Sequence, residues 1–142
     1  MLLGTRLAQF PKHFWLLVAL YCAASLLHFA HNAEYIALYP NMPAWLGREG
    51  VYLAWLAVSA VGIAGGLMWT LRWRAAALVV LGMYGALGLD GLAHYTLALC
   101  SEHTLVTNLT IWFEVVAGLA LTFGAFRGLR TRERSGIPAA PG

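Results

Sequence analysis

Charged residues are scarce in this chain, and their scarcity limits the classes of protein to which it can belong. Asp, Glu, Lys and Arg make up 11% of the 142 residues, whereas soluble domains carry about 25%. Apolar residues reach 61%, and the mean hydropathy is +0.69. This composition excludes an ordinary soluble globular domain and predicts a protein that is embedded in a membrane.

Cysteine and extended basic segments are also nearly missing. Cys22 and Cys100 fall at different depths of the predicted spans, so a disulfide is not expected and each thiol is interpreted as a small apolar side chain. The net charge of +3 comes from basic residues that flank apolar runs. No soluble basic segment is available to hold a duplex, and nucleic acid is therefore not expected as a partner.

Four apolar runs account for most of the chain. They cover approximately residues 14–35, 51–71, 75–99 and 105–126, and each is near the ~20 residues that a helix needs to cross hydrocarbon. The sequence therefore predicts an all-α integral membrane protein in which residues 1–130 form an antiparallel bundle of four transmembrane helices. Serine, glycine, proline and alternating charge predict a disordered cytoplasmic tail over residues 131–142.

The basic residues predict how the helices are oriented. Lys and Arg accumulate in short cytoplasmic segments, and eight of the nine in this chain flank one predicted side: Arg6, Lys12, Arg72, Arg74, Arg127, Arg130, Arg132 and Arg134. Only Arg48 lies on the other side. Both termini are therefore expected in the cytoplasm, with the 40–50 and 100–104 connections on the periplasmic side of a bacterial inner membrane.

Ionisable side chains interrupt three of the four apolar runs. His28 and His31 lie in the first run, Asp90 and His94 in the third, and Glu114 in the fourth. Such groups cost several kcal/mol in hydrocarbon unless they are paired, bind a ligand or face a wet cavity. Spacings of three and four residues place each pair on one helix face, and all five lie at a similar predicted depth. The sequence therefore predicts one polar site that opens to the outside.

Imidazoles and carboxylates that converge from several helices are a typical metal-binding set in helix bundles. We therefore expect the same five residues to hold Zn, Fe, Mn or Cu, with the ion acting on a lipid or another apolar substrate. Asp90 and Glu114 are the candidate catalytic residues, Glu114 as a general base. Five further residues are expected to support the ligands: Asn32, Glu34, His103, Asn108 and Thr110.

Other interpretations stay open at this point. Haem b held between a histidine of the first helix and His94 would make the protein an electron carrier. Metal-free acid–base catalysis on a lipid would use His28 and Glu114. An accessory subunit would use the same groups as a structural network, and a permease is disfavoured by an inner half that contains no comparable groups. Membrane lipids are expected partners, and a homo-oligomer or a larger membrane complex is compatible with the sequence.

Two further patterns carry expectations. Glycine recurs at every third position of the third run, at Gly82, Gly85, Gly88 and Gly91, which indicates either tight helix packing or a groove for a planar ligand. The proline-containing segment 39–47 is expected to form a compact loop whose aromatic residues, Tyr39 among them, rest on the membrane interface.

Overall fold

The computed structural model describes residues 12–135, and all regular elements within this range are helical. The α-helices are α1 (Lys12–Glu34), α2 (Arg48–Thr70), α3 (Arg74–Ala86), α4 (His94–Leu97) and α5 (Leu105–Ser135), and the short 3-10 segments are Ile36–Leu38, Leu87–Ala93 and Cys100–Glu102. Four stretches are long and apolar enough to cross a membrane: Lys12–Glu34, Arg48–Thr70, Arg74–Leu97 and Leu105–Arg132. The predicted number of helical stretches of membrane-spanning length and composition is confirmed, with ends that differ by a few residues.

The last helix is longer than the fourth apolar run. It continues to Ser135, so residues 131–135, which the composition places in a disordered tail, are helical. Arginine is a good helix former, and the guanidinium of Arg130 stacks over the ring of Phe126 at 4.6 Å. The rest of the predicted tail, residues 136–142, lies outside the described residues, as does Arg6.

The third span is broken, although the sequence predicts one continuous helix. After α3 the chain continues as the 3-10 segment Leu87–Ala93 and then as α4. A 3-10 helix has three residues per turn, so residues four apart are rotated by about a third of a turn instead of sharing a face. Asp90 lies within the 3-10 segment and is exposed, whereas His94 begins α4 and is buried.

Helix packing explains the glycine repeat. α3 packs against α5 and α2, and α1 packs against α5 and α2. At Gly85 a Cβ atom would lie 2.6 Å from the carbonyl oxygen of Gly118, and at Gly88 it would lie 2.8 Å from the ring of Tyr21. The glycines thus allow α3 and the 3-10 segment to approach α1 and α5, as the packing interpretation expects.

The connections 35–47 and 98–104 lie together at one end of the molecule, which we call the cap end. The side-chain amide of Asn41 in the first connection donates to the carbonyl oxygen of Leu97 beside the second, at 2.8 Å. α2 packs along α3 but makes few or no contacts with the 3-10 segment Leu87–Ala93. A cleft is therefore left between α2 and the second half of the third span, next to the cap end.

Candidate functional site

Tyr39 lies in the middle of four histidines at the cap end. Its ring is 3% exposed and lies 4.9 Å from the ring of His94, 5.8 Å from His31, 6.4 Å from His103 and 6.5 Å from His28, measured between centroids. We call these five residues the imidazole cluster. The cluster brings together three separate parts of the chain: α1, the first connection and the region from α4 to α5.

The sequence predicts Tyr39 at the membrane interface, and its inward position is a correction. The residue before a proline favours an extended backbone, and Tyr39, which precedes Pro40, has φ −94° and ψ 111°. Its phenolic oxygen lies 2.8 Å from Nδ1 of His31. Burial raises the pKa of Tyr39, so the phenol keeps its proton and can donate it in this hydrogen bond.

His28 is held between two residues of α5. Its Nδ1 lies 3.4 Å from Oγ1 of Thr110, and that hydroxyl donates its own proton to the carbonyl oxygen of Thr107 at 2.9 Å. Oγ1 of Thr110 therefore accepts from Nδ1–H, which leaves Nε2 of His28 as the basic nitrogen. Nε2 lies 3.7 Å from Oε2 of Glu114, and both side chains are buried.

His94 has its own supporting residues. The side-chain amide of Asn32 donates to its Nε2 at 3.3 Å, and Nε2 of His103 donates to its backbone carbonyl at 3.4 Å. The rings of His28 and His94 are 5.3 Å apart at an interplanar angle of 70°. Asn32, Thr110 and His103 thus each contact a histidine of the cluster.

Glu34 and Asn108 lie away from the imidazoles. Oε1 of Glu34 accepts three hydrogen bonds, two from Arg48 at 2.7 and 2.9 Å and one from Tyr52 at 2.8 Å. This ion pair joins the end of α1 to the start of α2 and neutralises the one basic residue that the sequence assigns to the outer side. Asn108 accepts a hydrogen bond from Tyr95 at 2.7 Å, which joins α4 to α5.

A cavity of about 250 Å³ lies where the cleft meets the imidazole cluster. Its polar lining consists of His28, Asn32, Asp90 and His94, whereas the remaining wall is apolar and comes from α1, α2, the first connection and the third span. Asp90 makes no hydrogen bond or ion pair with the described part of the chain. Cavities with mainly apolar walls and a few convergent polar groups are typical of small-molecule sites.

Glu114 lies behind the cavity wall. Its side chain is 1% exposed, and Oε2 has no hydrogen-bond partner among the described residues. Gly91, which lines the cavity, makes room for it, because a Cβ atom there would lie 3.3 Å from Oε2. Buried polar atoms of this kind are rare in folded proteins and often mark a site where function has kept them.

The polar groups also continue further along α1 than the sequence indicates. The hydroxyls of Tyr21 and Ser25 are buried and have no hydrogen-bond partner within the described range. With His28 and Asn32 they form one buried stripe at spacings of four, three and four residues. These spacings are visible in the sequence, but tyrosine and serine are common in apolar helices and give no separate signal.

The role of the five predicted residues as metal ligands stays a prediction. Across residues 12–132, no group of three or more His, Cys, Asp or Glu side chains is placed to hold an ion. Tyr39, Thr110 and Asn32 already bond one nitrogen of His31, His28 and His94, respectively. Asp90 and His94 both line the cavity.

Haem b also stays a prediction, and two features of the site disfavour it. The cavity of about 250 Å³ is below the ~300–1,000 Å³ that is typical for drug-sized ligands, and haem is larger than most of these. The rings of His28 and His94 also meet edge to face, whereas two axial imidazoles bind opposite faces of the macrocycle.

Comparisons with protein-family models, with curated proteins and with solved structures find no match to this chain.

Proposed function

We propose that this protein takes a small, largely apolar molecule from the membrane into the cavity and transfers a proton on it with His28. The observation that carries this proposal is the composition of the cavity wall. His28, whose Nδ1 is held by Thr110, lines the cavity, and Oε2 of the buried Glu114 lies 3.7 Å from its Nε2. A base, its orienting partner and a charge-stabilising partner are the elements of general acid–base catalysis.

The proposed reaction moves a single proton. Nε2 of His28 removes a proton from the bound molecule, and the resulting imidazolium is stabilised by the carboxylate of Glu114. Nδ1–H remains bonded to Thr110 and keeps the ring orientation during the transfer. His28 then returns the proton to a different atom of the same molecule, so that an isomer is formed with no net change in atoms or electrons.

The route to the site supports a membrane-derived substrate. The cavity adjoins the cleft between α2 and the 3-10 segment, and Phe29, Met42, Val51 and Leu97 contribute to its apolar wall. A water-soluble substrate would gain little from such a wall, whereas the burial of apolar surface favours a lipid-like one by about 25 cal/mol per Å².

We also infer that both termini are cytoplasmic, that the spans form an antiparallel bundle and that the site opens on the opposite side of the membrane. The distribution of basic residues supports this orientation. The exception, Arg48, is paired with Glu34, and the pair contributes no net charge at the cap end.

Proton transfer can be tested on a mixture of candidate substrates. Purified protein is incubated with a membrane lipid extract in D₂O, and mass spectrometry is used to search for a lipid that gains deuterium at carbon. We expect such a lipid with the wild type and a loss of labelling of at least ~100-fold, the low end for acid–base groups, with His28→Asn and Glu114→Gln. If folded wild-type protein labels no lipid above the no-protein control, the proposal fails.

The location of the site is tested by a matched pair of α2 variants. Ala54 lines the cavity, whereas Ala57 is one turn away and does not; both are exposed. Ala54→Phe should fill the cavity and abolish labelling, and Ala57→Phe should leave it unchanged. Equal effects of the two substitutions would place the reaction elsewhere.

A further inference from the structure

The polar lining of the cavity contains two hydrogen-bond acceptors that have no partner in the described part of the chain. The first is Oδ1 of Asn32. The carboxylate of Asp90, which lines the cavity, also has neither a hydrogen bond nor an ion pair there. Both groups are acceptors when the carboxyl of Asp90 is ionised, so the polar lining lacks a donor with positive charge beside them.

An unpaired carboxylate within a membrane span is costly, by several kcal/mol, unless a partner compensates it. Arg48 cannot serve, because Glu34 already binds it, and the other described cations flank the far ends of the spans. The missing partner of Asp90 must therefore arrive with the ligand, and it should supply several N–H donors in a small volume.

We propose that the cavity recognises an amphiphile whose head is a protonated primary amine, with Asp90 as its counter-ion. A primary ammonium group carries three donors and one positive charge, which match Asp90 and the amide oxygen of Asn32. The apolar wall and the adjoining cleft hold the hydrocarbon chain. This inference rests on the proposed function, because it names the substrate class of the same cavity.

The test compares three probes that share one chain length: hexadecylamine, hexadecanol and palmitic acid. Binding to the purified protein in detergent is measured by native mass spectrometry at neutral pH. We expect the amine to bind the wild type at least ~10-fold more tightly than the alcohol, which corresponds to about 1.4 kcal/mol, and the acid to bind most weakly. Asp90→Asn should remove the preference for the amine but keep the binding of the alcohol.

A matched control distinguishes an effect of the Asp90 carboxylate from an effect of negative charge in general. Glu49 lies in the first turn of α2, is exposed and does not line the cavity. Glu49→Gln removes the same charge and should keep the full preference for the amine. Because Asp90 is itself exposed, Asp90→Asn is expected to fold, and circular dichroism checks this.

The two proposals fail in different ways. Equal binding of amine and alcohol, both blocked by Ala54→Phe, would overturn the role of Asp90 but leave the apolar binding site intact. Binding of no probe, or binding that Ala54→Phe does not weaken, would overturn both. One equivalent of a transition metal in the wild type, lost in Asp90→Asn, would also overturn the ammonium inference, since Asp90 would then be a metal ligand.

Discussion

The hydroxyl of Tyr39 lies 2.8 Å from Nδ1 of His31, so a loop residue is hydrogen-bonded to the helix that precedes it. The ring of Tyr39 also lies 4.9 Å from the ring of His94, which belongs to the third span. Tyr39 thus joins the 35–47 connection to α1 and α4. Its contacts explain how a loop that contains two prolines can cover the imidazole cluster.

Removal of the Tyr39 hydroxyl should cause a modest loss of stability. Tyr39→Phe keeps the ring contacts and breaks one hydrogen bond, so we expect the free energy of unfolding to fall by about 1 kcal/mol. Tyr39→Ala also removes the buried ring and should cost about 3–5 kcal/mol. Reversible unfolding in mixed detergent micelles measures both values.

Tyr35→Phe is the matched control for the lost hydroxyl, because Tyr35 also lies near His31 but is 54% exposed. We expect almost no change for this variant. A loss as large as that of Tyr39→Phe would show that the buried hydrogen bond is not the cause.

The buried phenol of Tyr39 is also expected to make the stability depend on pH in the alkaline range. Burial raises the pKa of Tyr39 above its ordinary value of 10.0, so the folded protein keeps this proton after the unfolded chain has lost it. The unfolded state then binds fewer protons, and the free energy of unfolding must fall as the pH rises. The advantage of wild type over Tyr39→Phe should therefore shrink between roughly pH 9 and 11, and a constant or growing difference would contradict the assigned environment.

The helical spans could be predicted from the sequence because they depend on composition over some twenty residues. The burial of Asn32 and Thr110 also follows from helical spacing, since each shares a face with a buried titratable residue of its own helix, His28 and Glu114, respectively. These features are local in the chain. They do not depend on how one helix lies against another.

The features that could not be predicted depend on tertiary packing. A pattern of apolar residues does not distinguish an α-helix from a short 3-10 segment such as Leu87–Ala93, which contains Asp90. The inward position of Tyr39 depends on the path of a whole loop, and an aromatic residue near a span end is normally placed at the interface. The sequence therefore indicates the groups of the polar site but not which of them are in contact.

Substitution of alanine for Gly85 and for Gly66 is expected to have opposite effects on stability. At Gly85 a Cβ atom would lie 2.6 Å from the carbonyl oxygen of Gly118, whereas at Gly66 it would meet nothing within 4 Å. Gly85→Ala should force α3 and α5 apart and destabilise the protein by about 1–3 kcal/mol. Gly66→Ala should be neutral or stabilise α2 by up to about 1 kcal/mol. Equal melting temperatures for the two variants would show that α3 and α5 do not meet at Gly85.

The two cysteines provide a direct test of orientation. Cys100 lies in the exposed 3-10 segment at the cap end, whereas Cys22 is exposed in the middle of α1, where a membrane-spanning α1 would place it against lipid. Thiol reagents attack the thiolate, which forms only where water reaches the sulfur. When intact cells are treated with a membrane-impermeant maleimide, the Cys22→Ser variant, which retains Cys100, should therefore be labelled. The Cys100→Ser variant, which retains Cys22, should not be labelled. Labelling of Cys22→Ser only after cell lysis would reverse the inferred orientation, and the cavity would then open towards the cytoplasm.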